Sequence, residues 1–266
     1  AGEPFGRATV LSAAVRRLAC MLACGVSIGL AGASLAVRSS EPRLFLWAWE
    51  RNTNLDGLDT ARAGVAYLAG SIQLRGDSLA KRPRLQPLVV PRSTRLLAVV
   101  RIDVSRADPP RYGKRQQAAA SSAVLDLARP GQASGAVEGV QVDFDAPVSG
   151  RAFYAALLRD VRAGLPRGAR LSVTALASWC LGDPWIAGLP VDEAVPMLFR
   201  MGADQAHVEA VLARGGDFTL PVCRQGVGLS SDEPRDVPLR GRRAYLFNPL
   251  GWTSESAAAA VEDYSR

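Results

Sequence analysis

The feature that most constrains the fold is a run of alternating residues in the middle of the chain, followed at once by a helical pattern. Over 137–147, apolar residues alternate with Gln141, Asp143 and Asp145. A strand has a period of two residues, so these three polar side chains share one face. Apolar residues then recur at helical spacing over 153–161. A strand followed directly by an amphipathic helix predicts half of a βαβ unit, whose strands are buried.

Similar units recur along the chain. Strands are predicted at 43–50, 64–74, 96–104, 137–145, 170–177, 194–200, 218–223 and 243–248. Further helical patterns occupy 116–127, 204–214 and 254–263. The segment 75–95 is rich in Pro and Arg and has no helical period, so we expect an irregular, extended connection there. The pattern predicts an α/β fold, a (β/α)8 TIM barrel; the alternative is an open doubly wound sheet, for which no Gly-rich phosphate loop is present.

The N-terminal stretch predicts an export signal. Arg16 and Arg17 precede twenty mostly apolar residues at 18–37. This arrangement is typical of a secretory signal peptide, and the apolar run is also long enough to span a bilayer as an uncleaved anchor. A lipid-modification site at Cys24 and a buried core helix are further alternatives. We therefore expect 1–37 to be a signal peptide or membrane anchor and 38–266 to form one barrel in the periplasm or outside the cell.

Composition excludes several classes of function. The chain has 266 residues and a net charge of +7, of which +4 remains without residues 1–38. That charge is small for a nucleic-acid-binding protein, which usually carries a dense basic stripe. His207 is the only histidine, and its position in the helical pattern at 204–214 predicts a surface residue. This argues against a Ser-His-Asp triad and against a metal site built from several histidines. We expect no cofactor, no metal ion and a monomer that contacts the membrane only through its N-terminal segment.

The predicted strand ends carry acids, guanidiniums and aromatic rings. In a parallel barrel, functional side chains come from the C-terminal ends of the strands. Aromatic faces stack on sugar rings while acids and guanidiniums bond to hydroxyls, so the set predicts a polysaccharide or oligosaccharide ligand. The predicted substrate-binding residues are Trp49, Glu50, Arg101, Asp103, Gln141, Trp179, Arg200, Asn248 and Trp252. Asp143 and Asp145 are the predicted catalytic residues, because two neighbouring carboxyls push their pKa values apart, which suits general acid chemistry.

Some of these residues have a structural alternative. Arg101 and Arg200 could instead form buried ion pairs with Asp143 and Asp145, which would lower the pKa values of the carboxyls. Trp49 and Trp179 could cap the core, and Trp252 could be ordinary loop packing. Cys180 and Cys223 lie near the predicted ends of strands five and seven. An oxidising compartment would allow a disulfide between them, and two buried free thiols are the alternative.

The segment 138–145 resembles the signature strand of family 18 glycoside hydrolases, the chitinase-like barrels. That signature reads Asp-Gly-x-Asp-x-Asp-x-Glu. Here Glu138, Gln141 and Asp145 stand at the first, second and last acidic positions, and Asp143 keeps the third. The resemblance implies that Asp145 occupies the position of the family's proton donor.

A closer likeness covers about residues 43–250 and rests on the runs 171–180 and 195–202. These runs resemble a bacterial family known as domain of unknown function 3142, thought to be a divergent glycosidase-like barrel. The chitinase-like enzymes carry Met-x-Tyr-Asp at strand six, where this chain has Met-Leu-Phe-Arg at 197–200. The resemblance therefore does not extend to substrate-assisted hydrolysis of an N-acetyl sugar, and Arg200 could instead hold an anionic sugar such as a uronic acid.

Two functions from different classes follow. The first is a glycoside hydrolase acting on an envelope or extracellular polysaccharide, with Asp145 as proton donor and Asp143 as its orienting partner. The second is a non-catalytic glycan-binding or envelope-assembly protein on a degenerate barrel. Asp145 separates them, because its carboxyl reaches less far than that of Glu and general acid catalysis needs hydrogen-bond distance to the leaving oxygen.

Overall fold

A computed structural model describes residues 42–129 and 135–264, together with Gly2. The described residues from 42 onward belong to one compact unit. The predicted signal peptide or anchor at 1–37 lies outside the described residues, apart from Gly2. Within the described ranges, every helix is too short or too polar to cross a membrane.

Eleven strands and four α-helices make up the described part of the chain. The strands are β1 Leu44–Ala48, β2 Thr53–Asn54, β3 Ala63–Arg75, β4 Ser78–Pro83, β5 Leu88–Val89, β6 Arg95–Val104, β7 Ala136–Asp143, β8 Arg170–Leu176, β9 Glu193–Met197, β10 Gly226–Ser230 and β11 Arg243–Phe247. The helices are α1 Lys114–Leu127, α2 Arg151–Gly164, α3 Gln205–Ala213 and α4 Ser254–Asp263. Short 3₁₀ turns occupy Val148–Gly150, Ala177–Cys180, Gly202–Asp204 and Pro221–Arg224.

Eight of these strands close into a parallel barrel, which confirms the predicted fold class. Their order is β1, β3, β6, β7, β8, β9, β10 and β11, and β11 pairs with β1 again. Leu44 shows the closure directly, because it is in register with Ala63 on one side and with Ala244 on the other. Among the described residues, an α-helix separates only β6, β7 and β9 from the next barrel strand, and α4 follows the last strand, β11. The fold is therefore TIM-barrel-like, with loops and short turns in place of several helices.

The predicted irregular segment 75–95 contains a hairpin rather than a helix. The first half of β3 pairs with β1, and its second half pairs with the antiparallel β4, from Gly70 opposite Pro83 to Arg75 opposite Ser78. Strand β4 thus extends the barrel wall beyond the point where β1 ends. The guanidinium of the following residue, Arg84, is buried and donates hydrogen bonds to main-chain carbonyls of β1 and the loop after it, at 2.6 Å for the carbonyl of residue 49.

The predicted seventh strand at 218–223 is wrong, because that segment forms a loop and a 3₁₀ turn, and the strand is β10. The reason is steric. A Cβ at Gly226 would lie 2.8 Å from Oε1 of Glu193, and a Cβ at Gly228 would lie 2.9 Å from the ring of Trp47. These positions therefore admit only glycine without movement of their neighbours. Val227 and Leu229 are then the only apolar side chains of this five-residue strand, which is a weak signal for a strand.

Strand parity divides the apolar residues into an interior set and a larger outer core. On β1, Phe45 and Trp47 pack with Tyr245 of β11, at ring-centroid distances of 5.3 and 5.5 Å. Their neighbours Leu44 and Leu46 belong to the outer core, which also takes the buried faces of α1, α2 and α4. This parity decides which residues near a strand end can reach the barrel mouth.

Cys180 and Cys223 form a disulfide, with Cα atoms 5.9 Å apart. It joins the 3₁₀ turn after β8 to the 3₁₀ turn before β10. The two turns can meet because the loop before β10 bends back over this region, where the Thr219 amide and hydroxyl donate to the carbonyl of Cys180 at 2.9 Å. Disulfides of this kind are typical of proteins that fold in an oxidising compartment outside the cytoplasm.

Candidate functional site

A cavity of about 390 Å³ lies at the C-terminal ends of the barrel strands. Side chains from β1, β6, β7, β8, β9 and β11, or from the residues just after them, converge on it. Its walls are Trp47, Trp49, Val99, Arg101, Asp143, Asp145, Thr174, Met197, Phe199, Arg200, Phe247 and Pro249. A cavity of this size that combines apolar walls with a few charged groups is typical of a small-molecule or sugar site.

Four aromatic rings form one wall of the cavity. Phe199 and Phe247 stack with centroids 5.9 Å apart, and Trp49 meets Phe247 edge-on at 6.0 Å. Trp47 meets Phe199 edge-on at 6.3 Å, and its indole Nε1 donates a hydrogen bond to Oε1 of Gln141 at 2.7 Å. Mutual packing and this hydrogen bond fix the rings, so the wall exists before any ligand arrives.

Asp143 is the buried carboxyl of the cavity, with 7% of its surface exposed. Its Oδ2 accepts a hydrogen bond from Nη1 of Arg101 at 3.0 Å, and its Oδ1 accepts one from Oγ1 of Thr174 at 2.7 Å. Burial raises the pKa of Asp143 above its ordinary value, while Arg101 and Thr174 partly offset this effect. The ion-pair alternative therefore holds for Asp143 and Arg101, and these contacts fix the orientation of the carboxyl.

Asp145 is the exposed carboxyl of the cavity. Phe144, the residue between the two acids, points away and packs edge-on against Tyr154 at 5.2 Å. Asp145 has no hydrogen bond or ion pair with another residue in the described ranges. Desolvation by the cavity walls raises the pKa of Asp145, the charge of Asp143 raises it further, and Arg101 lowers it. Asp145 is thus a carboxyl whose pKa is raised by its surroundings and whose oxygens are available to a ligand.

Both guanidiniums of the cavity are held by carboxylates. Arg101 also contacts Asp103, from Nε to Oδ1 at 3.0 Å. Arg200 contacts Asp232, from Nη2 to Oδ2 at 2.8 Å, and its backbone N–H donates to Oε2 of Glu233 at 3.0 Å. Arg200 has φ of +50°, a left-handed conformation that is uncommon for a residue other than glycine. The contact with Glu233 holds the backbone in this conformation at the cavity wall.

Asp232 and Glu233 were missed by the sequence reasoning. They follow β10 by two and three residues, whereas the predicted seventh strand at 218–223 put the expected strand end at residue 223. Two consecutive acids after a short glycine-containing run were the available signal. Arg200 therefore forms ion pairs, as the structural alternative predicted, but with Asp232 and Glu233 rather than with Asp143 or Asp145.

A chain of buried polar groups lies beneath the cavity. Gln141 is fully buried, and its Nε2 donates to Oγ of Ser172 at 3.0 Å. The Ser172 hydroxyl donates to Oε2 of the fully buried Glu193 at 3.1 Å, which also accepts from the Tyr245 hydroxyl at 2.6 Å. Arg243 completes the chain with a 3.0 Å contact to Oε1 of Glu193. The structure therefore places Gln141 in the barrel interior, below the cavity rather than on its wall.

Four other predicted substrate-binding residues lie outside the cavity wall. Glu50 pairs with Arg82 of the β4 hairpin. Trp179 is 3% exposed and packs edge-on against a second tryptophan at 4.9 Å. Asn248 accepts a hydrogen bond from the backbone two residues later at 3.0 Å, and the Trp252 indole donates to a carbonyl of β1 at 2.9 Å. Of the remaining predicted set, Trp49, Arg101, Arg200 and both catalytic candidates line the main cavity, and Asp103 lines a smaller one beside it.

In the part of the chain that the structure describes, no three His, Cys, Asp or Glu side chains are grouped so that they could hold a metal ion. The search of curated proteins and the search of solved structures gave no match. One family model matches, over residues 92–198, which is less than half of the chain. This segment runs from just before β6 to just after β9 and contains Arg101, Asp143 and Asp145. By that match, residues 92–198 are similar to the family described as Domain of unknown function (DUF3142).

Proposed function

We propose that this protein is a carbohydrate-active protein of the glycoside hydrolase type, which binds a glycan chain across the barrel mouth and uses Asp145 as its proton donor. The observation that carries the proposal is Asp145 itself. It lies in an aromatic-walled cavity and makes no hydrogen bond or ion pair with another residue in the described ranges, whereas both oxygens of Asp143 beside it accept hydrogen bonds.

The electrostatics support this division of roles. A general acid must carry its proton at the working pH, and both desolvation and the neighbouring Asp143 favour the protonated form of Asp145. Arg101 and Thr174 hold Asp143 in place. Asp143 can therefore act as an orienting and charge-supplying partner without itself moving towards the ligand.

The aromatic wall supports a carbohydrate ligand. Trp47, Trp49, Phe199 and Phe247 offer rigid apolar faces of the kind that pack on the C–H faces of sugar rings. The likeness of 138–145 to the signature strand of chitinase-like enzymes points to the same ligand class. The Cys180–Cys223 disulfide supports a site of action outside the cytoplasm, on an envelope or extracellular polysaccharide.

A non-catalytic glycan-binding or envelope-assembly protein is the second candidate. The contact of Asp143 with Arg101 favours it, because an ion-paired carboxylate raises the pKa of its neighbour less than a free one does. The shorter side chain of Asp145, compared with the Glu of the signature, points the same way.

The substitution Asp145→Asn separates the two candidates. If Asp145 is the proton donor, turnover of a glycan should fall by roughly 10²–10⁴-fold, because the amide keeps the shape but cannot donate a suitable proton. Affinity for a neutral glycan should stay within about threefold of the wild type, since an uncharged ligand loses no ion pair. Released reducing ends and titration calorimetry measure the two quantities. Asp263→Asn, at the exposed end of α4, is the matched control for loss of one carboxylate.

The substitution Asp143→Asn tests the coupling between the two acids. It removes the charge that raises the pKa of Asp145 and frees Arg101, which lowers that pKa. The pH above which turnover declines should therefore shift downward, in addition to any loss of rate. Wild-type protein that binds glycans but never cleaves them, with Asp145→Asn binding equally well, would establish the second candidate instead.

A further inference from the structure

Asp145 lines two smaller cavities as well as the main one. The first, of about 230 Å³, lies at the ends of β8 and β9 and has Leu176 among its walls; we call it the β8 cavity. The second, of about 180 Å³, lies at the end of β6 and has Val104 and Arg106 among its walls; we call it the β6 cavity. Because Arg101 and Asp145 border all three cavities, the three adjoin one another at these two side chains.

The order of the barrel strands places Asp145 between the two smaller cavities. Strand β7 pairs with β6 on one side and with β8 on the other. Asp145 follows β7 by two residues, while the β6 cavity and the β8 cavity lie at the ends of the two neighbouring strands. A ligand that extends from one of these cavities to the other therefore passes Asp145 along its length and not at its end.

Both smaller cavities are open to solvent at their outer ends. Val104, the last residue of β6, is 37% exposed, and Leu176, the last residue of β8, is 38% exposed. Arg106 of the β6 cavity and Asp204 of the β8 cavity are exposed as well. Each smaller cavity therefore offers an aliphatic side chain to a sugar unit and leaves room for the ligand chain to continue into solvent.

This arrangement determines which bonds of a chain the proton donor can reach. Proton transfer needs hydrogen-bond distance between the acid and the leaving oxygen. An acid beside a closed pocket meets only a bond near the end of a chain, because the pocket admits no further units. Asp145 instead has an open cavity on each side along the barrel rim, so the units before and after the bond that it meets can both belong to a longer chain.

We propose that the protein cleaves its glycan at internal bonds, with sugar units bound in the β6 cavity and the β8 cavity on the two sides of Asp145. This inference rests on the proposed function and adds to it the position of cleavage and two binding subsites. The reaction is hydrolysis. Asp145 donates its proton to the bridging oxygen as the bond from this oxygen to the anomeric carbon breaks; water supplies the hydroxyl of the anomeric carbon and the proton that restores Asp145.

A set of soluble polymers tests the position of cleavage: mixed-linkage β-glucan, galactomannan, glycol chitin and polygalacturonate. With a polymer that is cleaved, viscosity should fall steeply while few reducing ends are released, and the early products should span many chain lengths. Release of one short product from the start, with a slow fall in viscosity, would overturn this inference and leave the proposed function standing. If none of the polymers is cleaved, both are overturned.

The substitutions Val104→Ala and Leu176→Ala test the two subsites separately, on a hexamer of the sugar whose polymer is cleaved. Each removes apolar contact on one side of Asp145, so the hexamer should bind further towards the other side. The two variants should therefore move the main cleavage site in opposite directions along the hexamer. Each should also raise KM by about twofold to fivefold and leave kcat within about twofold of the wild type.

Mass spectrometry of products from a hexamer labelled at its reducing end locates the cleavage site. Val89→Ala and Leu85→Ala are the matched controls, because these side chains are 44% and 71% exposed and line none of the three cavities. Both controls should keep the wild-type product pattern. An unchanged cleavage site in the Val104 and Leu176 variants, or a shift in the same direction in both, would mean that the chain does not occupy both sides of Asp145 and would overturn the inference.

Discussion

Replacing Arg101 by Gln should reveal how strongly the carboxyls of the cavity depend on one guanidinium. Arg101 is the only cation in contact with Asp143 among the described residues, at 3.0 Å, and Asp143 is 7% exposed. After the substitution, Asp143 would keep only the hydroxyl of Thr174 as a partner. Its negative charge would then be buried without a counter-charge, which is the costly half of a broken ion pair.

The size of the effect follows from the exposure of the pair. Two unit charges about 4 Å apart attract by about 4 kcal/mol at an effective dielectric constant of about 20. The Arg101 side chain is 42% exposed, so water screens much of this attraction. We therefore expect a loss of about 2 kcal/mol in the free energy of unfolding at pH 7.

The loss should depend on pH with a defined sign. Burial already raises the pKa of Asp143 in the folded protein, and removal of Arg101 raises it further. A carboxyl with a raised folded-state pKa contributes most to stability below its unfolded pKa of about 3.9, and that contribution is lost as the pH rises through the folded value. Lowering the pH protonates Asp143 in both proteins and removes the negative charge that Arg101 compensates, so the difference between them should be smaller at pH 4 than at pH 7.

Urea unfolding at pH 7 and at pH 4 measures the effect. Arg111→Gln is the matched control, because Arg111 pairs with Asp77 at 3.4 Å with both side chains more than 70% exposed, and exposed pairs of this kind contribute about 0–1 kcal/mol. In an Asp143→Asn background, Arg101→Gln should lower the free energy of unfolding much less than it does in the wild type. The reasoning is refuted if the loss is the same at both pH values or persists in the Asp143→Asn background.

Two further predictions concern the disulfide and the floor of the cavity. Replacing both Cys180 and Cys223 by Ser should lower the free energy of unfolding by up to about 4 kcal/mol, because the bridge closes a loop with a sequence separation of 43; an unchanged melting temperature in the double variant would contradict it. Gln141→Leu should leave the buried indole N–H of Trp47 without its acceptor, at a cost of about 1–3 kcal/mol, and should also weaken glycan binding. Unfolding curves, tryptophan fluorescence and calorimetry test this variant, and unchanged affinity would show that the ring does not contact the ligand.

The fold was predictable from sequence because most barrel strands carry apolar residues on both faces. The acid-bearing strand β7 and helix α2 were recognisable from the change of period between 137–145 and 153–161. Strand β10 could not be recognised in this way, since Gly226 and Gly228 leave room for side chains of neighbouring strands. The position of that strand depends on side chains of other strands, Glu193 and Trp47, which fill the space beside the two glycines. These contacts cannot be read from a single sequence.

Strand parity predicted which residues face the barrel interior. Residues that were chosen only because they lie near a strand end include some that point outward. Asp143 and Asp145 were placed by the alternation of β7, and both line the cavity. Glu50 and Asn248 were chosen because they are near strand ends, but they lie on the outward parity of β1 and β11, one residue after Trp49 and Phe247. The same alternation would have selected Phe247, which the sequence reasoning missed.

The polar chain in the barrel interior connects the stability of the fold to the geometry of the site. Trp47 lines the cavity, and its indole is held by Gln141, which is held in turn through Ser172 by the carboxylate of Glu193. A buried carboxylate and buried amides are costly unless every group finds a partner, so this chain adds little net stability by itself. Its effect is to allow one orientation of the Trp47 ring, because a rotated indole would leave the Gln141 oxygen unsatisfied. The groups beneath the cavity therefore act on ligand binding through the position of one aromatic face, without touching the ligand.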